Sequence, residues 1–347
     1  MRPIFLTIAL LLGLSGPSSW SARQNGIPDK RPVFGGACPA CPWGAMADAV
    51  KEAMEPYGYD VQVCYSCAGG PRAARLVSAA SEAIPPDRST DESAMPTPKG
   101  KLDFGATSTE LLQYAVLGIH EFAQDKEGAR RHLRLIANIQ MPSYYMVAVN
   151  AKANITDLKQ IAEKRLPVKL VARGGIDDPI NVAFLSYYGL SAEKIKEFGG
   201  TASNRYVRGS DVDVIIGFAS LNGSPEHAVW YDAPQQHDLN FLDLPADLQT
   251  KLAKDFYVRQ GNAPLALFRG VTRRTPTVAR EGTAVYGRAD MPDDFAYTVA
   301  RALAEQKGVF RWSHMPFSYN EQTVWSLGSV QLHPGAARYY RERGYMK

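Results

Sequence analysis

Short apolar runs alternate along this chain with segments whose apolar positions recur at helical spacing. The runs 32–35, 60–64, 101–105, 133–139, 145–149, 168–172, 212–217, 265–268 and 283–287 read as strands. The clearest helix carries Ile180, Ala183, Phe184, Tyr187 and Tyr188 on one face, with Asp178 as its cap, Pro179 in the first turn and Gly189 as its stop. Met46, Val50, Ala53 and Met54 form a second helical face, closed by Pro56 and Gly58; Phe295, Val299, Ala302 and Leu303 form a third. Strand and helix in repetition predict an α/β protein, its mainly parallel sheets covered by helices.

Two segments break that rhythm. Residues 84–101 hold Pro85, Pro86, Pro96 and Pro98 among polar residues, which predicts a surface excursion. At the start, Met1 and Arg2 precede an apolar run from Ile4 to Leu14, and Ser19-Trp20-Ser21 supplies small residues at peptidase-read positions. That three-part pattern predicts a signal peptide over 1–21, an exported chain beginning near Ala22 and no membrane insertion after its removal. Of the 347 residues, 45% are hydrophobic, which is enough for two lobes with cores and too apolar for disorder. The formal charge is +4 and the basic residues are scattered, so no nucleic-acid partner is expected.

Ligands of parallel α/β sheets sit at the carboxyl ends of strands, where loops enter helix N-termini. Four loops fit that place: Gly35-Gly36 running into 38–44, 64–71, 105–109 and 173–179. Glycine in any one of them also serves as an ordinary turn residue; four together predict a cleft. No serine-nucleophile elbow, phosphate loop, zinc-protease helix or dinucleotide fingerprint occurs, so neither an enzyme nor a cofactor is expected. The six histidines lack metal-ligand spacing, and Tyr144 and Tyr145 fit core packing as well as ligand stacking.

All four cysteines lie in two Cys-x-x-Cys pairs, Cys38 with Cys41 and Cys64 with Cys67. Export favours disulfides, and the pairing expected crosses between the two loops, for example Cys38 to Cys67. A four-thiolate metal site and thiol redox chemistry stand as alternatives. An exported thiol or metal protein is therefore the competing function.

The C-terminal half carries a more specific signal. QLHPGAARYY, residues 331–340, closely resembles the Leu-His-Pro-Gly-Ala-x-x-Tyr-Tyr ending of TAXI-type solute receptors of TRAP transporters. The segment GVTRRTPTVAREGTAVYGRADMPDDFAYTVARAL resembles that family's strand and Pro-Asp-Asp helix, and NITDLKQ with VKLVARGGIDDPINVAFLSYYGLS resembles the start of its second lobe. Gly36 to Gly44 and Gly69-Gly70 resemble its first two ligand loops. The resemblance implies a two-lobe type II periplasmic-binding-protein fold with mixed, mainly parallel sheets and an interlobe cleft. Lobe 1 would span 22–149, lobe 2 150–262, and 263–347 would return to lobe 1. It also implies a periplasmic receptor that passes a small polar solute to a TRAP-type permease.

Candidate ligand contacts on these loops are Gly36, Cys41, Trp43, Gly69, Gly70, Ser108, Gly174, Gly175 and Asp177, with no metal. Three departures from the family pattern fall on the loops. Ala40-Cys41 replaces an aromatic pair, Ala68-Gly69-Gly70-Pro71 replaces Thr-Gly-Gly-Ser, and Gly174-Gly175-Ile176-Asp177 replaces Gly-Ser-Gly-Thr. Hydroxyl donors are lost where carboxylates are gained, so the family's usual organic acids do not carry over.

Overall fold

The computed structural model describes residues 30–39, 41–67, 69–84, 95, 97–141, 143–221 and 227–347. The expected signal peptide and residues 85–94 and 96 of the Pro-rich excursion lie outside them.

The chain begins with β1 (Val33–Gly35), α1 (Pro42–Met54), β2 (Gln62–Val63), α2 (Gly70–Ser78), β3 (Leu102–Ser108), α3 (Thr109–Leu117) and β4 (Leu133–Ile139). It then crosses into β5 (Ser143–Asn150), α4 (Lys159–Glu163), β6 (Lys169–Ala172), α5 (Pro179–Tyr187), α6 (Ala192–Glu197), β7 (Thr201–Ser203) and β8 (Val214–Ala219). The second lobe continues through α7 (Val229–Gln236), β9 (Leu239–Phe241), α8 (Ala246–Phe256), β10 (Arg259–Ala263) and β11 (Thr275–Arg280). The chain returns through β12 (Thr283–Arg288), α9 (Asp293–Glu305) and α10 (Pro334–Glu342).

Two mixed sheets result, ordered β2-β1-β3-β12-β4 and β10-β11-β5-β8-β6-β7, with β9 beside β5. Parallel pairing joins β2, β1 and β3 in one lobe and β7, β6 and β8 in the other. Antiparallel pairing surrounds the crossing strands: β12 is inserted between β3 and β4, and β5 pairs with β8 and β11. Sheet membership therefore changes between Ile139 and Ser143 and again between Arg280 and Thr283. The lobe boundaries expected at 149/150 and 262/263 are displaced, because β5 and β11 hydrogen-bond into the second sheet.

The helices form where periodicity and caps coincide. Asp178 accepts the Ile180 amide at 3.1 Å, Pro179 needs no donor in the first turn, and Gly189 takes a left-handed φ of +70° past the end of α5. The stretch 265–268 is not a strand. Pro264 lacks an amide, Ala266 is left-handed with φ +60°, and its N–H closes a turn on Val271, while Leu267 and Phe268 are buried.

One apolar cluster covers a face of the first sheet with Met46, Val50, Phe104, Phe295, Val299 and Leu303. Another fills one face of the second sheet around Trp230 and Phe268, and a third runs through both lobes. Each large side chain removed from water contributes about 2 kcal/mol. The QLHPGAARYY segment anchors the end of the chain: the His333 amide bonds to Leu135 O, its ring caps α10 at Gly335 N, and Tyr340 donates to Ile136 O at 2.9 Å. No helix among the described residues is long and apolar enough to cross a membrane.

Both Cys-x-x-Cys pairs are disulfides closed within themselves, Cys38–Cys41 and Cys64–Cys67. The expected crossing between loops does not occur. Each pair sits on one tight turn, closed by the backbone bonds Cys41 N to Cys38 O and Cys67 N to Cys64 O, which brings the partner three residues away within bonding reach.

Candidate functional site

A cleft of about 660 Å³ opens between the carboxyl ends of the two sheets. From the first lobe, Cys41 stands at the N-cap of α1 and Pro42 enters the first turn, which carries Trp43 onto the cleft wall. The indole lies against Gly69, where a Cβ would collide with the ring. Glycine at 69 is thus required by close approach, and this contact brings the helix that follows the first disulfide loop against the end of the second. Gly70 and Pro71, opening α2, line the cleft beside it.

Ser108, at the end of β3, donates to Glu110 Oε1 at 2.7 Å in the first turn of α3. Glu110 is 3% exposed and pairs through the same oxygen with Arg280 Nε at 2.6 Å. Arg280 comes from the end of β11, lies 3.9 Å over the Phe218 ring, and stands in register with Ser143 at the start of β5. The crossing segments therefore deliver an arginine and a serine to the floor of the cleft.

From the second lobe, the loop after β6 supplies Arg173, Gly174, Gly175, Asp177 and Asp178. Gly174 and Gly175 have φ of +94° and +113°, conformations that only glycine adopts without strain. The buried Asn181 pins the loop, donating to Arg173 O at 3.1 Å and Gly175 O at 2.7 Å, and accepts from Tyr145 OH at 2.7 Å. Arg173 Nη2 lies 2.9 Å from His227 Nε2. A guanidinium can only donate, so Nε2 accepts and the imidazole proton sits on Nδ1.

The electrostatics follow from burial. His227 is held neutral, its pKa driven down to about 2 first by desolvation and then by Arg173 and Arg280. Asp178 is raised by desolvation against the opposing pull of Arg280, and Glu121 is raised by desolvation with Asp178 and Glu110 adding to it. Glu110, Glu121, Asp177 and Asp178 face Arg173 and Arg280, an excess of carboxylates among the described residues. This arrangement can hold a polar solute by hydrogen bonds and charge. Among the described residues, no group of three or more His, Cys, Asp or Glu side chains is placed to hold a metal.

Of the residues expected at the site, Trp43, Gly70, Ser108, Gly174, Gly175 and Asp177 line the cleft. Gly36 stands behind it against Ala73, Gly69 lies beneath Trp43, and Cys41 is buried in its disulfide. The cleft also holds Glu110, Ser143, His227 and Arg280, which no local pattern marks, and Arg173, which opens the expected ligand loop 173–179 without being named as a contact.

The sequence pattern of the NMT1-like family matches residues 91–344, most of the chain, and the chain belongs to that family. Among solved structures it is similar to one described as a periplasmic transporter, at 12% identity, covering 92% of this chain and 95% of that one with a TM-score of 0.48. It is also similar to a TctC solute binding protein from Polaromonas (12% identity, 92% and 97% covered, TM-score 0.42). A third likeness is to MatC from Rhodopseudomonas palustris with bound malate (10% identity, 83% and 89% covered, TM-score 0.43).

Proposed function

We propose that this NMT1-like family member is an exported solute-binding protein of the TAXI type, which captures a small polar metabolite between its lobes and delivers it to a TRAP-type membrane permease. The observation that carries the reading is the cleft itself. Its volume of about 660 Å³ suits a small molecule, and polar side chains from both lobes and from the crossing segments converge on it. Trp43, Gly70 and Ser108 form the first-lobe wall and Gly174, Gly175 and Asp177 the opposite one. In this reading the protein is a receptor: among the described residues His227 is the one imidazole lining the cleft, and it is buried, neutral and held by Arg173, which leaves it a poor proton acceptor. The thiol and metal alternative finds no support, since all four cysteines are oxidised within their own turns.

The reading is tested by thermal melting of the exported protein against a broad panel of small polar metabolites. A saturable rise in melting temperature with one chemical class is expected. No rise with any of them contradicts solute capture.

A further inference from the structure

Three polar side chains that line the cleft are almost wholly buried and each leaves one atom without a partner: Glu110 Oε2, His227 Nδ1 and Ser143 Oγ. Their residues are 3%, 2% and 1% exposed. Buried polar atoms are nearly always paired, so three orphans drawn from both lobes and a crossing segment around one cleft mark positions that a ligand completes. Their chemistry is not uniform. Glu110 Oε2 acts as an acceptor, because the carboxylate is ion-paired with Arg280 through Oε1, which also takes one hydrogen bond from Ser108. His227 Nδ1 can only donate, because Arg173 fixes the tautomer. Ser143 Oγ can do either.

We infer that the cleft takes an amino-acid-like zwitterion, with its ammonium group at Glu110 and Asp178 and its carboxylate at His227 and Arg173; this rests on the solute-binding reading above. A dicarboxylate fits poorly. Glu110 already occupies the place beside Arg280 that a ligand carboxylate would take, and Asp177, Asp178 and Glu121 face the remaining space. A simple amine fits only half of the site, since the His227 proton would stay unpaired. A zwitterion satisfies both ends and brings no net charge into a cleft that already holds more carboxylates than guanidiniums.

The test is thermal melting and calorimetric titration of the intact protein with three matched sets: free α-amino acids, the monoamines obtained by removing their carboxyl groups, and dicarboxylates of the same length. At least one amino acid should bind, and at least tenfold more tightly than its amine and the matching dicarboxylate. Glu110→Gln, with the oxidised fold checked by its melting transition, should weaken that amino acid at least tenfold. Binding of dicarboxylates in preference to amino acids overturns this inference and leaves solute capture standing. Amines binding as well as amino acids overturn the carboxylate half of the assignment. If no set binds but another metabolite does, the inference fails alone; if nothing binds, solute capture fails with it.

Discussion

At the scale of single residues, the cleft wall depends on what is absent as much as on what is present. Gly69 lies under the Trp43 indole with no space for a Cβ. Gly69→Ala should displace the ring, lower stability by about 1–3 kcal/mol as overpacking does, and shift the intrinsic tryptophan fluorescence; an unchanged melt and spectrum would show that the contact is dispensable. His227 makes a second prediction, whose sign follows from its depressed pKa. The folded protein keeps this ring neutral down to pH about 2, while the unfolded chain takes up a proton near pH 6.5. Stability attributable to the neutral ring is complete above pH 6.5 and declines as pH falls below it, by about 2 kcal/mol between pH 7 and 5. Asp178 and Glu121 act oppositely, since their raised pKa values let the folded state hold protons at a pH where the unfolded chain has released them. Denaturant unfolding of the protein beside His227→Gln separates the two effects: the variant should lose less stability over this range, and parallel curves would contradict the assignment.

At the scale of elements, the disulfides are local staples on the two first-lobe loops, and each closes so short a loop that its chain-entropy contribution is about 2 kcal/mol. A tryptic digest without reductant distinguishes this from a crossed pairing. Peptides 31–51 and 52–72 should appear separately, each with its own internal bond, whereas one cross-linked species holding both would contradict the pairing. Helix α5 was legible because periodicity, cap and stop agree, α1 from its apolar face and its Pro56 and Gly58 stop, α9 from its face alone, and β4 as a largely apolar run. The strands β7, β9 and β10 were not. TAS, LNF and RQGNA are short or polar and sit at or near sheet edges, so their pairing comes from neighbours and leaves no alternation in the sequence. The site divides the same way. Glycine loops after strands were readable locally, but Glu110, Arg173, His227 and Arg280 are single polar residues scattered along the chain and meet only because two crossings fold the lobes face to face.

At the scale of the whole molecule, the lobes touch at one side of the cleft through Tyr114 OH donating to Phe256 O at 2.8 Å and the His120 ring contacting Asp255 O at 2.8 Å. These contacts join α3 and its following turn to the end of α8, and the short crossings at 139–143 and 280–283 lie where a hinge would. Closure driven by a solute requires contacts that exist only when both walls engage it. X-ray scattering should accordingly give a smaller radius of gyration for the solute-saturated protein, and superimposable curves would count against hinge closure. The most direct measurement is a crystal structure with the tightest-binding metabolite from the melting panel. The account predicts the solute between the lobes, touching Trp43 or Ser108 on one side and the Arg173–Asp178 loop on the other, with Glu110 Oε2 and His227 Nδ1 hydrogen-bonded to it. A solute bound to one lobe alone, or anywhere outside this cleft, would contradict it.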